Sequence, residues 1–222
     1  LNATTFNPIV RTGGTVNVTG TFNGGGGVLD IGGGGRFGAG GLNGMSGTIT
    51  NATIISGDGT SMPGGGVLDT VVLGNAANPS LSFAGSVSID NGIVLANGAL
   101  IDKGAHNWNM RTGGEVHIAT PGSATLLQSG GSIIAGFGVL GQTLHLDSGI
   151  TLAGSGFVTN SSSAAIVNAG LIHANSAGQS LSINPTTFTN AGTLRVSGTI
   201  AAPSTIDMVN GTASFLDGAV LN

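Results

Sequence analysis

The chain has no cysteine and no tyrosine, and it carries a single tryptophan, lysine and glutamate. Without cysteine there is neither a disulfide frame nor a thiolate metal site, so the packed core must hold the fold. The absence does not assign a redox compartment, because secreted and cytosolic proteins alike can lack cysteine. Charged residues make up only 6% of the chain, against about a quarter in ordinary domains. Five Lys and Arg, scattered along 222 residues, cannot build the basic stripe that phosphate neutralisation requires, which argues against a nucleic-acid partner. No apolar run approaches the roughly 18 residues of a membrane span. No charged region followed by an apolar one opens the chain as in a signal peptide. Its first residue is Leu, as expected of a processed product or an excised fragment. Helix-forming charged residues are nearly missing, and 43 glycines oppose helix throughout.

What the chain does have is self-similarity. Ile-Asp-Asn-Gly-Ile-Val-Leu-Ala at 89–96 returns as Leu-Asp-Ser-Gly-Ile-Thr-Leu-Ala at 146–153, and shortened as Leu-Asp-Gly-Ala-Val-Leu at 216–221. Gly-Gly-Gly-Val-Leu-Asp occurs at 25–30 and 64–69, Arg-Thr-Gly-Gly at 11–14 and 111–114, Asn-Ala-Gly at 168–170 and 190–192. The offsets are near-multiples of roughly 19–22 residues, a solenoid period. Within a unit, apolar and small polar residues alternate over short runs at 15–18, 81–90, 115–120, 143–147 and 192–196, the period of a strand with one buried face. Gly, Asn, Ser and Asp interrupt these runs with turn chemistry. The sequence therefore predicts an all-β, right-handed parallel β-helix: one β-solenoid over 1–222, with coils of roughly 20 residues and on the order of ten coils. At strand spacing that makes a rod of roughly 50 Å.

Two regions differ in texture. Residues 20–66 are Gly-rich, which predicts narrow, Gly-built coils or flattened loops with backbone exposed for the close approach of something else. A phosphate-binding loop is disfavoured, because no Gly-Lys-Ser/Thr follows and no strand runs into a helix. Residues 142–200 hold the most regular coils. Their phrases Leu-Asp-Ser-Gly-Ile-Thr-Leu-Ala-Gly-Ser-Gly-Phe-Val-Thr-Asn (146–160), Ile-Val-Asn-Ala-Gly-Leu-Ile-His-Ala-Asn (166–175) and Phe-Thr-Asn-Ala-Gly-Thr-Leu-Arg-Val (188–196) resemble secreted bacterial β-helix proteins, the autotransporter passengers and filamentous-haemagglutinin-type adhesins. The resemblance implies an extracellular or cell-surface location and a structural or adhesive role. The motifs are generic to such solenoids and specify no substrate.

Candidate sites compete with structural readings. Asp30, Asp69, Asp90, Asp102, Asp147 and Asp217 all follow Leu or Ile. Asp69 and Asp90 on adjacent coils would lie about 5 Å apart, suited to retaining glycoside hydrolysis or to calcium. Strand-ending turn caps account for all six and are preferred. Residues 102–111 are the chemically densest stretch, and Trp108 flanked by Asn107 and Asn109 is the candidate glycan-binding platform, the alternative being a core strand. His106, His117, His145 and His173 lack the spacing of a compact zinc site. A coil of 28 residues would align the last three, but the echoes favour about 20, so no metal and no cofactor is expected. No Gly-x-Ser-x-Gly elbow is present. Asn168, Asn190 and Asn210 predict an asparagine ladder.

Neither terminus reads as a polar cap. Leu1, Phe6, Val220 and Leu221 are therefore the expected assembly ends of solenoids that join head to tail. The expectation is a non-catalytic extracellular fibre subunit whose partner is its own copy, with glycans or a cell surface as further partners. The alternatives are an adhesin passenger fragment and a carbohydrate-active β-helix enzyme.

Overall fold

The computed structural model describes residues 8–199 and the strand segments 202–203, 205–208, 212–215 and 220–221. Among the described residues every strand pairing but one is parallel, and a single sheet of 21 strands winds through about seven turns as a β-solenoid. Among the described residues there is no helix, and so none long and apolar enough to cross a membrane.

Three stacks of strands form the walls. One face climbs through Thr21–Asn23, Thr48–Thr50, Val67–Leu73, Val87–Leu95 and Trp108–Met110. The second climbs through Val28–Asp30 and Thr53–Ile55, then Glu115–Ala119, Thr143–Leu146, Ala165–Asn168 and Thr187–Asn190. The third climbs through Ser80–Ser82, Leu100–Asp102, Ala124–Ala135, Ile150–Asn160, Leu171–Ala174 and Thr193–Val196. The long strands turn a corner and serve two faces. Alternation sends every second side chain inward. Stacking in register then makes columns such as Leu81, Ile101, Leu126, Leu152, Ile172 and Leu194, each at most 3% exposed.

The coil length is not constant. Register partners lie 19 residues apart at Thr48 and Val67, 25 at Leu100 and Thr125, and 28 at Glu115 and Thr143. The expected coil of about 20 holds only for part of the chain, because loops of different length leave the corners. The repeated phrases explain the discrepancy. Ile89-Asp90-Asn91-Gly92 turns the first corner, whereas Leu146-Asp147-Ser148-Gly149 turns the second. The phrase encodes a corner, and its spacing is not a coil length.

The Gly-rich region keeps its strands in register, and the backbone that approaches it belongs to the next coil. A Cβ on Gly47 would strike the carbonyl oxygen of Gly20, and one on Gly64 would lie 2.5 Å from the Gly85 carbonyl carbon. The asparagine ladder spans two rungs. Asn168 Nδ2 donates to Asn190 Oδ1 at 2.7 Å, and both residues are fully buried. Phe215 follows Asn190 in register, and Asn210 lies outside the described residues.

Candidate functional site

Trp108 is a core residue. It is fully buried, with its ring edge-on to Phe83 at 5.1 Å, and its Nε1 has no hydrogen-bond partner. Asn107 Oδ1 accepts from the Ser132 amide and its own amide donates to Ser86 Oγ, so both groups tie neighbouring coils together. Asn109 Oδ1 is buried without a partner. A sugar cannot stack on a ring with no exposed face, which corrects the expected platform at Trp108, Asn107 and Asn109. Of the assembly ends, Val220 and Leu221 form a strand in register with Thr193 and Leu194. Leu1 and Phe6 lie outside the described residues.

The aspartates divide by their partners. Asp30 Oδ1 accepts from the amides of Gly32 and Gly57, and Asp102 Oδ1 from Gly104. Asp58 accepts from the amides of Gly33 and Thr60, and these bonds pull its pKa down to about 2. All three carboxylates hold turns. Asp69 and Asp90 do fall on adjacent rungs. Asp69 accepts from Thr50 Oγ1, Thr70 Oγ1 and Asn91 Nδ2, while Asp90 is clamped by the Arg111 guanidinium through Nε at 3.0 Å and Nη2 at 2.8 Å. The pair holds Arg111 firmly protonated. With five donor groups from four side chains committed to them, these carboxylates are braced in the wall, and neither lines the neighbouring groove.

That groove follows the first corner. Asn51, Thr70 and Asn91, all with φ between 50 and 57°, stack one above another where face one bends into face two. Beyond the bend the outward side chains Val72, Val94 and Ala119 form an aliphatic floor, and His117 closes one side of a volume of about 300 Å³. The backbone makes the bend because each of these residues takes the left-handed conformation, which Asn tolerates and Thr resists.

His117 belongs to a cluster. Glu115, His117 and Ala119 face outward from one strand, and Thr143, His145 and the following Asp147 from the next. The imidazoles of His117 and His145 stack at 4.5 Å with planes 9° apart. His117 Nδ1 lies 2.8 Å from Asp147 Oδ1. Ligand-type atoms of Glu115, His117 and His145 all lie within 4.8 Å of one another. His145 Nε2 is buried without a hydrogen-bond partner. The expectation that these histidines stand apart is overturned by the local coil of 28 residues, which brings His117 and His145 into register. His173 does not join them. It pairs in register with Ala153 and Arg195 on the third face, bonds Ser197 Oγ, and has its pKa lowered by burial and then by Arg195.

Lys103, the single lysine, is fully buried. Its Nζ donates to the carbonyls of His106 at 2.6 Å and Gly130 at 3.0 Å. Burial brings its pKa down to about 8, with nearby Asp102 opposing the shift.

Fold and geometry thus define a parallel β-solenoid compatible with β-helix repeat proteins. Comparison with protein-family models, curated proteins and solved structures finds no match to this chain.

Proposed function

We propose that the chain is a non-catalytic structural rod, a subunit of an extracellular or cell-surface fibre of the autotransporter-passenger or filamentous-haemagglutinin kind, which associates head to tail. The observation that carries this reading is the continuous parallel stack, one sheet of 21 strands wound through about seven turns. Each coil serves as a template for its neighbour, as Thr48–Thr50 pairs in parallel with Thr21–Asn23 on one side and Val67–Leu73 on the other. Beside the strand Thr21–Asn23 lies an apolar pocket of about 250 Å³ formed by Ile9, Val16, Val18, Phe22 and Phe37. The same stacking contact repeated between copies, with apolar surface to bury, gives an open filament. The braced state of Asp69 and Asp90 supports the absence of hydrolysis.

The test is electron microscopy and sedimentation of the purified protein across a concentration series. Uniform filaments with an axial repeat near one subunit length support the reading. Monodisperse rods at every concentration overturn it. A second reading, an adhesin that grips an extended glycan, is favoured by the corner groove with its Asn51, Thr70 and Asn91 wall. Glycan-array binding lost in Val94→Asp would favour it.

A further inference from the structure

We propose that Glu115, His117 and His145 form a binding site for a divalent transition-metal ion such as Zn(II), with Asp147 positioning His117. The inference is independent of fibre assembly and rests on four features of one patch of the second face.

The donor set comes first. Two imidazoles and a carboxylate are the ligands that borderline ions such as Zn(II) prefer. Their ligand atoms lie within 4.8 Å of one another, and nitrogens sharing a tetrahedral ion with bonds of about 2.1 Å stand about 3.4 Å apart. Closing that gap requires a movement of about 1 Å, which a half-exposed imidazole and an exposed glutamate make by side-chain rotation. The second feature is the bond from His117 Nδ1 to Asp147 Oδ1 at 2.8 Å. It fixes the ring and leaves Nε2 as the free donor atom, the carboxylate–histidine arrangement that orients metal ligands. Third, His145 Nε2 is buried and without a partner, a cost that coordination of this ring removes. Fourth, the patch concentrates negative charge. Glu115 and Asp147 face the same pair of rings, and among the described residues the ion pairs are Arg111 with Asp90 and His117 with Asp147. Two carboxylates beside rings stacked at 4.5 Å attract a dication. Three protein ligands leave at least one coordination position for water. The site is accessible, with the His117 and Asp147 side chains 43% and 33% exposed, and His117 also borders the corner groove.

The experiment is calorimetric titration of the chain with zinc chloride in a non-coordinating buffer, alongside NMR of the four histidine rings. The expected result is one equivalent bound, with the His117 and His145 ring signals shifting together while those of His106 and His173 stay. Glu115→Gln and His145→Ala should each weaken binding by more than tenfold, and Asp147→Asn by about 10- to 100-fold. His106→Ala and His173→Ala should leave it unchanged. Absence of stoichiometric binding, or binding that His145→Ala leaves intact, overturns the proposal. Ring shifts at His106 or His173 in place of His117 and His145 do so too, and that readout needs no variant to fold.

Discussion

Raising the pH through the titration of Lys103 should stabilise this protein. The side chain is fully buried and its two visible partners are carbonyls, of His106 and Gly130. Neither partner carries charge, so desolvation of the ammonium is the larger effect, and the pKa falls from 10.5 to about 8. A neutral amine still has two N–H groups, one for each carbonyl, so deprotonation sacrifices neither hydrogen bond. Below pH 8 the folded and unfolded chains both hold the proton, and the folded state bears the full penalty of a buried charge. Between about 8 and 10.5 only the unfolded chain holds it, so stability rises with pH. A shift of about 2.5 units at about 1.4 kcal/mol each corresponds to roughly 3 kcal/mol, most of it realised by pH 10.

Because Lys103 is the only lysine, labelling with lysine enriched at Cε yields one resonance to titrate. Its midpoint should lie near 8. Urea denaturation of the wild type and Lys103→Met at pH 7 and pH 10 gives the energetic half. The wild type should gain about 2–3 kcal/mol on the variant between the two, whatever the variant's stability at pH 7. A Cε midpoint at or above 10 would refute the reasoning, since it would mean that the ammonium keeps its solvation in the fold.

Other perturbations have signs that follow from the same structure. Leu126→Ala empties one rung of a continuous column and should cost about 2–5 kcal/mol in urea denaturation. Asn168→Ala strips Asn190 Oδ1 of its buried donor and should cost about 1–3 kcal/mol, read the same way. Thr70 holds φ at 52° where its stack neighbours are Asn51 and Asn91, so Thr70→Asn should stabilise by about 1 kcal/mol. An unchanged or lowered denaturation midpoint would show that the Thr70 to Asp69 bond outweighs the strain. Asp58 is held at a pKa of about 2 in the fold, against an ordinary 3.8, by amide donors that need its charge. Its contribution to stability is therefore present above pH 4 and lost as pH falls towards 2, and Asp58→Asn should flatten the acid limb of a stability–pH profile in that window.

The sequence carried the walls of this fold more fully than its pitch. Alternation at 115–120, 143–147 and 192–196 marks the strands Glu115–Ala119, Thr143–Leu146 and Thr193–Val196 within a residue or two. Period two is imposed by a buried inner face and is written into every strand. The run at 81–90 is instead broken between Ser82 and Val87, where Phe83 turns inward against Trp108. Alternation alone does not show that interruption. Nor does it say which side of a lone tryptophan faces the core, and Trp108 went inward because an apolar column needed filling.

Pitch failed for a different physical reason. Coil length is the sum of three strands and three corners, and a corner can lengthen without disturbing the register of the strands it joins. Between Glu115–Ala119 and Thr143–Leu146 the chain spends 28 residues on one turn, while three coils earlier it spends 19. Repeated phrases track corners because corner chemistry is specific: a strand-ending Asp followed by Gly or Asn in the left-handed region. Their spacing therefore averages over corners of different faces and returns a period that no single coil need obey. That averaging hid the pairing of His117 with His145, whose separation of 28 is one local coil. In a solenoid of variable pitch, surface clusters follow from the register of each adjacent pair of strands. Apolar inward positions on both sides supply that register, here Val116 over Leu144 and Ile118 over Leu146. Aligning those inward residues first places Glu115, His117, His145 and Asp147 together from sequence alone.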